Sequence, residues 1–144
     1  MLSVRRLLDD KHNYAVWSVR PDDMVIDALM LMTKEKIGCV LVMEGEQLIG
    51  IFSERDYARK GIIVGRKAKS TPVSEVMTPS VFTVTPQMSI EDCMTLFSDK
   101  HIRHLPVVEN QKVIGMLSIG DIVTAIIHAQ DQQIRHLEAY ITSQ

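Results

Sequence analysis

Several familiar signposts are missing from this chain, and each absence closes a route. Two cysteines stand in 144 residues, Cys39 and Cys93, and neither has metal-ligand spacing to anything, so a cysteine-based metal site is excluded and both thiols read as reduced and buried. No apolar run approaches the ~20 residues that span a bilayer, so no membrane partner is expected. The N-terminal stretch Met1 to Lys11 carries charges of both signs and lacks the apolar centre of a secretory signal. No signal peptide is therefore expected, and the cytoplasm is the expected compartment. An excess of one charge sign is missing as well: 16 basic and 18 acidic residues leave a net charge of −2, which speaks against general nucleic-acid binding. A basic stretch survives that average (Arg55, Arg59, Lys60, Arg66, Lys67 and Lys69), but only Tyr57 supplies an aromatic platform beside it. It reads as a solvated face, with a phosphate-facing role for Arg55 as the sharper alternative. Low-complexity sequence is absent. No nucleophile, base and oxyanion set emerges, since neither Ser53 nor Ser118 has a partner histidine at recognisable spacing; no enzyme is expected.

What is present is a repeat. Val19 to Asp56 lies on Val84 to Asp121 at a constant offset of 65 residues, without a gap. Val19 meets Val84, Pro21 meets Pro86, Leu31 meets Leu96, Ile49-Gly50 meets Ile114-Gly115 and Asp56 meets Asp121. A long period present twice marks a duplicated supersecondary unit. Each copy opens with a β-prone stretch, Ala15 to Val19 or Val81 to Val84. A proline turn follows, with Asp22, Asp23 or Ser89 available as helix caps. A helix comes next, its apolar face made of Val25, Ala28, Leu29 and Met32, or Ile90, Cys93, Met94 and Phe97. Two apolar runs then flank Glu44-Gly45-Glu46 or Glu109-Asn110-Gln111, where Gly and Asn tolerate the positive φ of a hairpin. A second helix starts near Ser53 or Ser118. The expected fold class is α+β, two tandem β-α-β-β-α units related by a pseudo-twofold axis. The expected divisions are an N-terminal helical segment at 1–14, units at 15–61 and 80–128, a linker at 62–79 and a C-terminal helix extension at 129–144. The methionines, including Met24, Met30, Met32 and Met43, read mostly as core filler.

The chemistry-bearing pattern lies at the end of each hairpin: Gly50-Ile51-Phe52-Ser53-Glu54-Arg55-Asp56 and Gly115-Met116-Leu117-Ser118-Ile119-Gly120-Asp121. A hydroxyl at a helix start can meet a phosphate oxygen beside unpaired N–H groups and the positive end of the dipole. A carboxylate one turn on can accept both hydroxyls of a ribose. The same Ser-x-x-acid spacing is also a capping box, in which the acid folds back onto the cap residue's own N–H. Ser89-Ile90-Glu91-Asp92 reads as such a plain cap. Recurrence of the Ser-x-x-Asp pattern at one place in both copies favours the ligand reading.

These residues resemble a known family. Pro86 to Asp92, His101 to Val108 and Ile114 to Asp121, with Leu48 to Lys60 in the first copy, match the pattern of tandem cystathionine β-synthase (CBS) domains, the Bateman module. The resemblance implies clefts for adenosine-bearing ligands: AMP, ADP, ATP, NAD(H) or S-adenosylmethionine. Carried over residue by residue, the first cleft has Ser53 at phosphate, Asp56 at the ribose, Arg55 as a cation, and Ser18 with the Gly38-Cys39-Val40 backbone at the base. In the second, Ser118 and Asp121 take those roles, with Thr83, Ile102, Arg103, His104, Leu105 and Pro106 lining the base and phosphate side. The copies differ: Leu41 stands where the second has Pro106, and Arg55 where it has Gly120, so unequal affinities are expected. The resemblance further implies a homodimer and a regulated protein partner on another chain.

His101 and His104 are spaced as a potential metal pair, but no further ligand completes a set, and no metal is expected. His128 and His136 read as surface or interface residues of the last helix. The expected function is a non-catalytic, adenine-nucleotide-sensing regulatory module. Its rivals are an interaction scaffold with degenerate clefts and, further off, a small nucleotide hydrolase.

Overall fold

The computed structural model describes residues 2–11 and 16–143; Ala15, the expected start of the first unit, lies outside the described residues. The elements run α1 (Val4–Lys11), β1 (Ser18–Val19), α2 (Val25–Glu35), β2 (Cys39–Glu44), β3 (Gln47–Ser53) and α3 (Glu54–Asp56), which widens into a π-helical stretch, Tyr57–Ile62. After a 3₁₀ turn at Val73–Glu75 come α4 (Ile90–Lys100), β4 (His104–Glu109), β5 (Lys112–Ser118) and α5 (Ile119–Thr142). The fold is α+β, as expected. Parallel β1 joins β2, which pairs antiparallel with β3; β4 and β5 form a second sheet. The β-prone Val81 to Val84 contributes only a parallel bridge between Val84 and Val107.

Helix placement follows apolar spacing. In α2, Val25, Ala28 and Met32 recur at three- and four-residue steps and are buried; Ile90, Cys93 and Phe97 do the same in α4. Met30 falls on the outer face and is 63% exposed, so it is not core filler. Both helices end on a left-handed residue that is not glycine, Lys36 (φ 57°) and His101 (φ 54°). The N–H groups of Ile37 and Ile102 then reach back to the carbonyls of Met32 and Phe97, which closes each end in a Schellman turn. At the starts the copies diverge. Ser89 caps α4, accepting from the Asp92 N–H at 3.1 Å. Asp22 and Asp23 do not cap α2: its cap position is Met24, without a side-chain bond, and Asp23 instead accepts from the Arg20 N–H at 2.9 Å, tightening the preceding turn. The hairpin turns use positive φ at Gly45 and at both Asn110 and Gln111.

Among the described residues the chain divides into two compact units, one of 16–83 with 108–114, the other of 2–11 with 84–107 and 115–143. The core of the first holds Val19, Val25, Ala28, Met32, Val40, Val42, Phe52, Val73 and Val76. Position for position, Val84, Ile90, Cys93, Phe97, Leu105, Val107, Leu117, Val4 and Leu7 are buried in the second.

The last pair in each set shows that the linker expectation needs correcting. Residues 71–77 are not spacer; they complete the first copy as residues 2–8 complete the second, at an offset of 69 residues. Val25 donates to the Thr71 carbonyl (2.8 Å) and Val73 to that of Asp23 (2.8 Å). Ile90 donates to the Leu2 carbonyl (3.2 Å) and Val4 to that of Met88 (2.9 Å). The absence of a side chain at Gly50 and Gly115 lets these segments approach. A Cβ on Gly50 would run into Met77 and meet the Thr78 carbonyl at 3.2 Å, and one on Gly115 would lie 2.9 Å from Leu8 Cδ2. Each segment precedes one copy in sequence and packs on the other.

Candidate functional site

Both Ser-x-x-Asp patterns lie where a β-strand passes into a helix. The strand end is extended at Ser53 and Ser118, which serve as N-caps of α3 and α5. The next residue is tied to the start of the neighbouring strand segment: Glu54 donates to the Gly38 carbonyl at 3.4 Å and Ile119 to the Arg103 carbonyl at 2.9 Å. Cys39 pairs with Ser53 in the ladder, which places Gly38, Cys39 and Val40 beside Ser53 and its cap partner Asp56. Ser18 sits two residues further along β2, opposite Leu41. The Val40 and Leu105 side chains are fully buried and belong to the cores, so only their backbones are available to a ligand. Arg103 is exposed, Ile102 and His104 half-buried, and Pro106 buried, its carbonyl accepting from Val84 at 3.0 Å. Thr83 is exposed and falls in the other unit from Ser118 and Asp121. Arg55 is exposed on α3.

The carboxylates themselves close capping boxes. Asp56 Oδ2 accepts from the Ser53 N–H at 2.9 Å while Ser53 Oγ accepts from the Asp56 N–H at 3.2 Å. Asp121 Oδ2 accepts from the Ser118 N–H at 2.9 Å, and Ser118 Oγ from the Asp121 N–H at 3.0 Å. The helix-cap reading of the motif is therefore realised in both copies, and a ribose would share these carboxylates with the cap.

Beyond the caps the two sites differ. Asp56 is 13% exposed and its second oxygen is also taken: the Thr78 hydroxyl donates to Oδ1 at 2.9 Å, and the Lys60 ammonium stands 3.6 Å away. Lys60 also donates to the Met77 carbonyl at 3.3 Å. Arg66 donates to the Lys60 and Glu75 carbonyls, both at 3.0 Å, so two members of the basic stretch are structural ties rather than a solvated face. In the second copy the residue matching Lys60 is Ala125. There Asp121 borders a hollow of about 550 Å³, lined also by Arg6, Asp10, Thr124, Ala125 and His128, with Arg6 paired to Asp10 at 3.9 Å. Sequence reasoning missed Arg6, Thr124, His128 and Thr78. The match of 2–8 to 71–77 was the signal that could have drawn α1 into the second copy. A larger hollow, about 850 Å³, lies in the first unit at the other end of β2, where Ser18, Arg20, Asp22, Asp23 and Glu44 line it; of the expected first-cleft residues it includes Ser18 alone.

The two thiols are held unreactive. Burial, and secondarily the negative charge of Asp56, pushes Cys39 up to about 12; burial and then Asp92 push Cys93 up to about 11. Among the described residues no group of three or more His, Cys, Asp or Glu is placed to hold a metal ion. No helix among them is long and apolar enough to cross a membrane.

Two small sheets, each with a strand that runs into a Ser-x-x-Asp helix start, define the class, and comparison with known proteins agrees. The CBS domain model matches residues 10–62 and 73–128, and the chain belongs to the CBS domain family as a tandem pair. It is 45% identical over 125 residues to the mitochondrial CBS domain-containing protein CBSX3 of Arabidopsis thaliana, covering 83% of this chain and 61% of that protein's length. Among solved structures, the CBS domain structure NE2398 is 43% identical, with a TM-score of 0.85, 88% of this chain covered and 99% of that one. The structure of CBSX2 in complex with AMP is 28% identical, with a TM-score of 0.73, 90% of this chain covered and 99% of that one.

Proposed function

We propose that the protein is a regulatory module that senses an adenine nucleotide, AMP first among AMP, ADP, ATP, NAD(H) and S-adenosylmethionine, and acts on a partner protein in trans without catalysis. The observation that carries the reading is the inequality of the two helix starts. Asp56 is enclosed by Ser53, Thr78 and Lys60, whereas in the second copy Ala125 stands at the lysine's place and Asp121 lines a hollow together with Arg6 and Asp10. The hollow makes the second copy the proposed ligand site, with Asp121 meeting the ribose, Ser118 the phosphate and Arg103 as a cation. In the first copy Ser53 and Arg55 keep the weaker version of the site, with Ser18 and the Gly38–Val40 backbone. Similarity to CBSX2, solved with AMP, supports the ligand class. The module works as a homodimer, and the compartment is the cytoplasm; the mitochondrial relative makes an organelle matrix the competing location, decided by imaging a tagged full chain.

A thermal-shift series tests the ligand. A nucleotide at about 100 times its dissociation constant adds ~2.7 kcal/mol, or a shift of roughly 5–10 °C at ~2–4 °C per kcal/mol. Asp121→Ala should abolish the AMP shift, and Asp56→Ala should retain it. The capping boxes favour one second reading, an interaction scaffold whose clefts are degenerate. That reading wins if AMP, ADP, ATP, NADH and S-adenosylmethionine all leave the melting curve in place. Turnover of ATP that disappears in Asp121→Ala would overturn the non-catalytic part.

A further inference from the structure

Among the described residues, nothing covers the C-terminal half of α5. Every residue from Gln130 to Ser143 is exposed, so more than three and a half turns of helix run on with no described residue burying them. An isolated helix of that length is marginal in water. Its apolar residues are not scattered: Ile127, Ile134 and Ile141 recur every seven residues, with Val123 and Leu137 four residues before the first and last of them. These side chains are 61%, 53%, 70%, 42% and 56% exposed. This is a heptad seam with isoleucine at every a position; isoleucine at a with leucine at d, as at Leu137, favours two parallel strands. Gln130 occupies the remaining d position, a polar residue within the seam.

We infer that the occupant of this seam is the same segment of a second copy, in a parallel, in-register two-stranded coiled coil over Ile127 to Ile141. The flanking charges decide direction. Asp131 and Glu138 occupy e positions, and Gln133 and Tyr140 occupy g positions. An antiparallel pair would set Asp131 of each chain against Glu138 of the other, acid on acid. The parallel pair sets Gln133 against Glu138 and leaves Asp131 to its own-chain partner Arg135, 3.3 Å away. The inference is independent of nucleotide binding; it deepens the homodimer expectation by naming the segment and its direction.

Two single-cysteine substitutions test it in the full chain, because Cys39 and Cys93 are buried and do not compete. Ile127→Cys and Ile141→Cys lie about 21 Å apart along the helix. In the parallel pair each oxidises to a self-linked dimer. In an antiparallel pair neither links alone and a mixture of the two does, which overturns the inference. Light scattering on the unmodified protein should give twice the 16.3 kDa protomer mass, and Ile134→Asp should raise the dimer dissociation constant at least ~10-fold without loss of the body's far-UV signal. A monomer at all concentrations overturns both the coil and the homodimer. A dimer that neither cysteine links, and that Ile134→Asp leaves intact, overturns the coil alone.

Discussion

Removing the Asp56 carboxylate should destabilise the protein well beyond the loss of a helix cap. The side chain is 13% exposed and accepts from the Ser53 N–H, the Ser53 hydroxyl and the Thr78 hydroxyl, with Lys60 at 3.6 Å. In Asp56→Ala the Ser53 hydroxyl can still cap the next turn, so the cap portion lost is about 1 kcal/mol. The hydrogen bond from Thr78 to a charged, largely buried acceptor contributes a further ~2 kcal/mol. The Lys60 pair adds well under ~1 kcal/mol, because the lysine is 42% exposed and screened. The sum is about 3 kcal/mol, a melting drop of roughly 6–12 °C for a domain of this size. Urea unfolding should show the loss as a lower midpoint at unchanged slope. Thr78→Val should cost about 1–2 kcal/mol alone and far less in the Asp56→Ala background, a coupling that a double-mutant cycle reads directly. A loss below ~1 kcal/mol for Asp56→Ala, or additive losses for the pair, would refute the claim that this carboxylate is a structural tie between the first copy and residues 71–78.

Two further outcomes follow from burial. Both thiols have folded values above the unfolded 9.0, so the fold favours their protonated form; their contribution is complete below pH 9 and is lost as pH rises towards about 11 for Cys93 and about 12 for Cys39. Stability should therefore fall above pH 9, by up to about 1.4 kcal/mol per pH unit for each thiol, and a thiol reagent at pH 8 should label neither cysteine until the protein is unfolded; rapid native labelling would contradict the burial. Leu8→Ala removes a fully buried side chain that lies against Gly115 and should cost about 2–5 kcal/mol in urea unfolding. A cost near zero would mean that α1 is not part of the second core.

How far the fold could be read depended on whether the signal was local. The spacing of Val25, Ala28 and Met32, and of Ile90, Cys93 and Phe97, is a property of consecutive residues, and the helices formed where it lay. Glycine and asparagine at the hairpin tips carried the same kind of message. The sequence therefore determined the repeat, the order of elements, the two Ser-x-x-Asp helix starts and the heptad seam of α5, because each rests on periodicity or on a residue's intrinsic conformational preference. Tertiary structure alone decided what residues 71–77 do, since their partners Pro21, Asp23 and Val25 lie some fifty residues earlier and short pieces without periodicity advertise no destination. It also decided the character of the two matched aspartates. Thr78 and Lys60 converge on Asp56 through the packing of a segment that sequence spacing treats as spacer, while Asp121 lines a hollow with Arg6, Asp10 and Thr124. Identical motifs acquired different surroundings because a carboxylate's partners are set by what the fold brings within hydrogen-bonding distance.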